Sequence, residues 1–300
     1  MIYLDYMTFA KPIDEELFLN YLRRTCYDTF YPFQIFPKRG FRRIDFADIT
    51  ILYGGNGSGK STALNVLAEK IGSNHDAVYN RSDFFEKYLE YVTVSFCDKS
   101  FEANEMLTSD GVFDSMLDIR NLNEGIDTMR QDKFDEYLHY KELNSFNAGR
   151  NPQIASEYEE IRQNPLANLD KLRKRNMALS KTQSKYVRNT VPENVREKSN
   201  GESAFDYFVN KIDRDGIYLL DEPENSLSPM RQIELTKFLE DSVRFFNCQL
   251  VIATHSPFVL SIKGAKIYDL DENPVTIKKW TELENVRAYY DFFKSHESEF

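Results

Sequence analysis

Two hydrophobic periods divide the chain. Up to about residue 104, and again from Gly216, short apolar runs rich in β-branched residues are bounded by glycine, proline and polar turns, which predicts strands. Stretches 2–9, 49–53 and 91–97 are strands on this reading, with a helical piece at 14–25 and proline-interrupted aromatic segments through Phe33, Phe36, Phe41 and Phe46. Stretches 217–220 and 249–253 are continuous apolar runs, expected of strands buried on both faces of a parallel sheet. Between them a helix begins at Ser228-Pro229, an N-cap candidate followed by proline at the first helical position, and runs to about Phe246. Stretches 266–270 and 275–277 read as shorter strands, and 283–293 as a closing helix. From 105 to 200 no convincing strand is expected. Phe113, Met116 and Leu117, then Ile119, Leu122 and Ile126, recur at helical spacing, and 157–162 and 166–186 read as further helices. The pattern predicts one α/β domain with a mostly parallel sheet (1–104 and 205–300), interrupted by a helical lobe (105–204).

The strand at 49–53 ends in Gly54-Gly55-Asn56-Gly57-Ser58-Gly59-Lys60-Ser61-Thr62, and a helix-forming stretch, 63–70, follows. Gly54, Gly59, Lys60 and Ser61 fit G-x4-G-K-[ST]. Glycines let backbone N–H groups curl toward an anion, and the following helix adds about half a positive charge at its N-terminus. Such a loop is expected to bind a nucleotide, with Lys60 on the β/γ-phosphates and the Ser61 hydroxyl on Mg²⁺.

Composition narrows the class without naming a function. At 41% hydrophobic and 29% charged residues, the 300-residue chain reads as globular, and a net charge of −10 argues against a nucleic-acid footprint spread over the whole surface. A local exception is 171–188, where Lys171, Arg173, Lys174, Arg175, Lys181, Lys185 and Arg188 stand with no acid between them. A solvated helical face is the plainer reading; phosphates of DNA or an acidic partner surface are the alternatives. Cys26, Cys97 and Cys248 lack metal-ligand spacing and are expected to be buried free thiols. No apolar run approaches the about 20 residues of a membrane span, and no signal pattern opens the chain, so a cytoplasmic protein is expected.

Three further stretches gain meaning from their order after the phosphate loop. Asp221-Glu222 ends the buried strand at 217–220, at the sheet edge where α/β proteins bind ligands. Asp221 is expected to hold Mg²⁺ and Glu222 to polarise the attacking water. Thr254-His255-Ser256 follows the next buried strand, which lets His255 reach the γ-phosphate or that water. His75, His139 and His296 lack such a setting and read as ordinary core or surface histidines. Ser199-Asn200-Gly201-Glu202 precedes an amphipathic helix carrying Phe205, Phe208, Val209 and Ile212, a hydroxyl and backbone N–H groups at a helix N-terminus.

Phosphate loop, helical insertion, Ser199–Glu202, Leu219-Leu220-Asp221-Glu222-Pro223 and Thr254-His255-Ser256 occur in the order of ABC-type ATPase domains. In detail the chain resembles the stand-alone "AAA family ATPases" related to the SMC-like and OLD-like P-loop proteins. The resemblance implies a P-loop NTPase fold of ABC ATPase type, with ATP and Mg²⁺ as ligands and residues 54–62 and 221–222 as Walker A and Walker B. It also implies that Glu222 is the catalytic glutamate and His255 the switch histidine, acting with Lys60. Ser199, Gly201 and Glu202 would be the signature motif that binds the γ-phosphate held by a second copy of the chain. Asn225-Ser226-Leu227-Ser228 would be the D-loop, which lies between the two copies. Lys198, Asn200 and Glu202 depart from the transporter signature Leu-Ser-Gly-Gly-Gln, which disfavours the nucleotide-binding component of a membrane transporter, kept as the alternative reading. Ser109-Asp110 stands in for the Q-loop, and Phe41, Arg42 and Arg43 are candidates for stacking on adenine. About 90 residues separate Ser109 from Ser199 without sustained heptads, so coiled-coil arms are not expected. Forty-five residues follow His255, with no cluster of metal-binding acids to suggest the nuclease of OLD-like proteins. The expectation is an ATPase that forms a homodimer with ATP as a mechanical or signalling switch, its output in a protein effector or in dimerisation itself, with DNA repair or anti-phage defence as settings.

Overall fold

The computed structural model describes residues 2–22, 26–27, 29–143, 151–195 and 200–300. In chain order the first elements are β1 (Leu4–Thr8), α1 (Pro12–Leu22), β2 (Arg43–Asp45), β3 (Ile49–Tyr53), α2 (Lys60–Ile71), β4 (Asn74–His75), α3 (Phe85–Leu89), β5 (Thr93–Phe96) and β6 (Ala103–Thr108). Four helices follow, α4 (Ser109–Glu142), α5 (Pro152–Gln163), α6 (Leu169–Ser180) and α7 (Gln183–Arg188). Then come α8 (Asn200–Lys211), β7 (Gly216–Asp221), α9 (Pro229–Phe245), β8 (Gln249–Thr254), α10 (Pro257–Leu260), β9 (Lys266–Asp269), β10 (Thr276–Lys278) and α11 (Glu284–Ser295). The chain divides into two compact units, 1–114 with 198–300, and 115–197.

The first unit holds a sheet in the order β10-β9-β3-β8-β7-β6-β4, parallel throughout except for β10 on β9, and a small antiparallel sheet β2-β1-β5. β3, β7 and β8 are the continuous apolar runs of the sequence, and every residue in them is buried except Asp221 at the edge. Their register levels the carboxyl ends: Thr108 faces Asp221, Asp221 faces Ala253, and Thr254 faces Tyr53. One buried side chain stitches the two sheets together. Gln249, with no exposed surface, accepts the N–H groups of Tyr3 (2.9 Å) and Leu4 (2.7 Å) and donates to the carbonyls of Leu4 (3.0 Å) and Ala47 (3.1 Å). All four of its hydrogen-bonding positions are used.

Strand β6, which runs to Thr108, overturns the expectation that 105–200 holds no strand. Asn104 and Glu105 break the apolar pattern, yet Asn104 accepts the Ser73 hydroxyl (2.6 Å) and donates to Ile71 O (3.0 Å), both at the end of α2. The polar side chain is satisfied by partners some thirty residues earlier, which no local period reveals. α6 and α7 likewise replace the single helix expected over 166–186; the chain is extended at Lys181 and Thr182 between them.

The second unit is helical, with a small core of Ile126, Tyr137, Tyr140, Leu143, Ile154, Ala178, Tyr186, Val187 and Val191. At its centre Glu136 accepts from Lys133 (3.0 Å), Lys174 (2.9 Å) and the Tyr186 hydroxyl (2.6 Å). The basic run is therefore partly committed within the unit. Lys174 goes to Glu136, Lys171 lies 3.2 Å from Glu157, and Arg175 covers the Tyr158 ring. Of the three thiols only Cys248 is buried; Cys26 is exposed, and Cys97, just past the edge strand β5, is half-buried.

Candidate active site

The phosphate-loop sequence folds as a turn that only glycine closes. Gly59, the N-cap of α2, has φ 98°, and a Cβ there would meet Ile35 Cγ2 at 3.1 Å. At Gly54 a Cβ would fall 2.6 Å from Ser58 Oγ. The turn is also braced from outside. Both Asp271 carboxylate oxygens accept the Gly55 N–H (3.0 and 2.8 Å), and the Arg39 guanidinium donates to Gly57 O (3.1 Å) and Leu270 O (2.6 Å). Asn56, Gly57, Ser58, Gly59, Lys60, Ser61, Thr62 and Glu222 line a cavity of about 170 Å³. Lys60 is 4% exposed, and its ammonium donates to the carbonyls of Gly54 (2.7 Å) and Gly55 (3.2 Å).

The levelled strand ends bring the other candidates to this turn. Ser61 Oγ donates to Asp221 Oδ1 at 3.0 Å. Burial pushes the Asp221 carboxyl up to about 6; the Ser61 hydroxyl opposes the shift and neighbouring Glu222 adds to it. Glu222 sits in the left-handed region, φ 48°, an uncommon place for a residue with a Cβ. Its Oε1 lies 3.7 Å from both Lys60 Nζ and His255 Nδ1, and its Oε2 accepts from Asn225 Nδ2 at 3.0 Å. Lys60, Ser61, Asp221, Glu222 and His255 therefore lie close together. Among the described residues no group of three or more His, Cys, Asp or Glu side chains could hold a metal ion. The pair Ser61 and Asp221 offers hard oxygens of the kind Mg²⁺ takes when phosphate and water complete its shell.

The remaining sequence candidates lie elsewhere or differ in detail. Asn200, Gly201 and Glu202 form the first turn of α8, not the stretch ahead of it; Ser199 lies outside the described residues. A Cβ on Gly201 would stand 3.4 Å from Ser226 O, and Glu202 Oε1 is 3.9 Å from Arg231 Nη2. Signature and D-loop candidates thus meet each other rather than the loop cavity of the same chain. Phe41 is buried against Phe9, Phe36 and Tyr268, and Arg43 pairs with Asp45 and covers the Tyr6 ring, so neither side chain is presented to a base. Ser109, at the end of β6, places Oγ 3.4 Å from Asn225 Nδ2 and so joins the Glu222 network.

A protein-family model described as "AAA domain, putative AbiEii toxin, Type IV TA system" matches residues 94–261, more than half of the chain. The chain belongs to this AAA-domain family. Membership makes it a P-loop ATPase, a class that binds nucleotide, and the phosphate-loop turn with its mostly parallel sheet is the corresponding fold. No curated protein matches it. Among solved structures it is similar to the Smc head domain with an extended coiled coil bound to the C-terminal domain of ScpA, derived from Pyrococcus furiosus. That alignment has 10% identity and a TM-score of 0.43, covering 97% of this chain and 100% of the other. It is also similar to Stu0660 of Streptococcus thermophilus, at 15% identity and TM-score 0.37, covering 79% and 73%. No helix among the described residues of this AAA-domain protein is long and apolar enough to cross a membrane.

Several residues that brace the site are not among the site candidates of the sequence. Asn225, known from the sequence only as part of the D-loop candidate, steadies Glu222; Arg39 clamps the phosphate loop from 18 residues upstream, and Asp271 from 216 residues downstream. Asn285, opening α11, donates from its amide side chain to His255 O (3.0 Å) and from its N–H to the Tyr53 hydroxyl (3.2 Å). Of Arg39, Asp271 and Asn285, only Asp271 has a local signal, since it opens the turn Asp271-Glu272-Asn273-Pro274 after a predicted strand.

Proposed function

We propose that this chain hydrolyses ATP with Mg²⁺ and that its nucleotide state governs pairing of two copies, which act on a protein effector. The observation that carries this is the convergence of Ser61 on Asp221 at 3.0 Å and of Lys60 and His255 on one oxygen of Glu222 at 3.7 Å. The backbone N–H groups of residues 57–62 and the Lys60 ammonium cradle the β- and γ-phosphates; to do so Lys60 leaves the Gly54 and Gly55 carbonyls. Ser61 and Asp221 hold Mg²⁺, which when bound offsets charge on the transferring phosphoryl group. Glu222 orients the attacking water and takes its proton as oxygen bonds to the γ-phosphorus. The bond from that phosphorus to the β,γ-bridging oxygen breaks, and ADP leaves with the electron pair. His255 donates to a γ-phosphate oxygen, while Asn225 holds Glu222 in register.

Ser199, Gly201 and Glu202 serve the nucleotide of the opposite copy; in support, neither Gly201 nor Glu202 lines the loop cavity of its own chain. On this reading the α/β lobe and the helical lobe work as one ATPase domain. DNA repair or defence is the setting the resemblance suggests, and the type IV toxin–antitoxin system in the family description fits defence. The test is Glu222→Gln with ATP in light scattering. The variant should dimerise and stay dimeric, whereas the wild type returns to monomer as ATP is consumed. A variant that is monomeric at saturating ATP removes the composite site.

A further inference from the structure

Glu224 is a buried carboxylate that the hydrolysis scheme leaves without work. It is 5% exposed and lies two residues beyond Glu222. Its Oε1 accepts three hydrogen bonds from consecutive residues of the turn after β8: the Thr254 hydroxyl (2.6 Å), the His255 N–H (3.0 Å) and the Ser256 N–H (3.2 Å). The same oxygen lies 3.8 Å from His255 Nδ1, and Oε2 is buried without a hydrogen-bond partner. Such a group costs stability unless it is paired, and charge-assisted bonds to backbone N–H are among the stronger pairings a protein can make. Here all of them fall on the three residues that carry His255.

The segment bearing Glu224 is itself a tight double turn. Asn225 N–H donates to Glu222 O and Leu227 N–H to Glu224 O, both at 3.0 Å, with left-handed residues at Glu222 (φ 48°) and Ser226 (φ 68°). Glu222 N–H in turn donates to Ala253 O at 2.9 Å. One short turn therefore presents Glu222 upward and grips the neighbouring strand end through Glu224. The distance between Glu222 and His255 is set by the turn, not by either side chain alone. Glu224 cannot be the base itself, since Oε1 is taken by the turn it holds and Oε2 is buried away from the cavity.

We infer that Glu224 is a positioning residue, which fixes the Thr254–Ser256 turn so that His255 meets the γ-phosphate while Glu222 meets the water. The inference rests on the proposed roles of Glu222 and His255. It predicts an effect that passes through His255 and disappears when His255 is removed.

The experiment is a double-mutant cycle on the full chain, with steady-state phosphate release and binding of a fluorescent ATP analogue as readouts. Glu224→Ala should lower kcat about 30-fold, less than the roughly 10²–10⁴-fold of a direct general acid–base contribution, with KM and analogue affinity within about twofold of wild type. Glu224→Gln keeps an acceptor of the same shape for the N–H groups and should recover kcat to within about threefold. In a His255→Ala background either substitution should change kcat by less than about twofold. Equal losses with and without His255 overturn the inference and leave the proposed function standing. A His255→Ala variant with wild-type kcat overturns both. If Glu224→Ala does not fold, Glu224→Asp, which keeps the charge but shortens its reach, takes its place in the two backgrounds: a loss that vanishes without His255 supports positioning, and no loss, or a loss that persists, overturns it.

Discussion

The polar side chains that brace the two units differ in what they mostly bond to. In the α/β unit these groups bond to backbone. Gln249 joins β1 to β8, Asp271 holds Gly55, Glu224 holds the turn after β8, and Asp76 accepts from Thr108 N–H (3.1 Å), the Thr108 hydroxyl (3.1 Å) and the Tyr207 hydroxyl. In the helical unit the half-buried carboxylates bond to other side chains, Glu136 to Lys133, Lys174 and Tyr186 and Glu157 to Lys171 and His139, although buried Asn123 bonds to the Val195 backbone. A bond to backbone fixes where the chain passes; a bond between flexible, half-exposed side chains tolerates drift. The chemistry stands in the first kind of unit. Catalysis needs reacting groups held to a fraction of an ångström.

The largest effects should separate the units by activity. Lys60→Ala and Glu222→Gln are expected to lower ATP turnover by about 10²-fold or more while the fold survives, since both remove charge stabilisation or water activation. Glu136→Ala in the helical unit should leave kcat and KM within about twofold. Phosphate-release kinetics check all three, and an equal loss in Glu136→Ala would erase the distinction.

Next comes stability. Gln249→Leu leaves two N–H groups and two carbonyls unpaired at the seam of the two sheets, an expected loss of about 3 kcal/mol or more. Glu136→Ala removes a partly exposed network and should cost about 1–2 kcal/mol. Urea unfolding followed by hydrogen exchange assigns each loss to its unit. The comparison breaks if Glu136→Ala is the more damaging substitution.

These differences mark what a reader of the sequence can and cannot see. β3, β7 and β8 are legible because burial on both faces forces continuous apolar runs. The convergence of Lys60, Ser61, Asp221, Glu222 and His255 is legible because each ends a strand or opens a helix, where motif and element coincide. β6 is hidden because Asn104 meets its partners at Ser73 and Ile71. Glu224 looks like an ordinary turn residue after Asp221-Glu222, and its bonds to the Thr254–Ser256 turn appear only when β7 and β8 lie side by side; Asn225 is read as part of the D-loop, and its bond to Glu222 is likewise hidden. Gly111 is similarly silent: a Cβ there would stand 2.1 Å from Asp76 Oδ2, a constraint set by a residue 35 positions away.

Acid should act on the two units with opposite sign. Burial pushes the Glu15 carboxyl up to about 7, with the Gln34 N–H (2.7 Å to Oε2) and Lys38 pulling it back; Oε1 is buried without a partner. The ordinary value for a glutamate is 4.5, so stability is highest below that pH and falls as pH rises toward about 7, by about 3 kcal/mol over the shift. At Glu136 burial also raises the carboxyl, but hydrogen bonds from Tyr186, Lys174 and Lys133 outweigh it and hold the group at about 2. That contribution is complete above 4.5 and is lost as pH falls toward about 2. Glu15→Gln should therefore gain stability over wild type at pH 8 and lose the dependence between 4.5 and 7, whereas Glu136→Gln should flatten only the acid side. Unfolding curves across pH read both windows, and a Glu15→Gln variant less stable than wild type at pH 8 would contradict the raised carboxyl.

The smallest effects belong to the basic run at 171–188. Lys171 is 38% exposed in its pair with Glu157, and an exposed pair of this kind is worth about 0.2–1 kcal/mol and weakens with salt. Lys171→Ala should accordingly cost about 0.5 kcal/mol, near the limit of a urea titration. The run matters more as a discriminator. Lys171, Lys174 and Arg175 are committed to Glu157, Glu136 and Tyr158, so fewer cations are left to displace counterions from a phosphate backbone. Each phosphate contact made by the others would add close to one unit to the salt slope of binding. Reversing Arg173, Lys181 and Lys185 to glutamate should leave binding of a duplex oligonucleotide unchanged within about twofold at physiological salt. A tenfold loss with a flatter salt slope would make this face a nucleic-acid surface, and the helical unit would then have a binding role of its own.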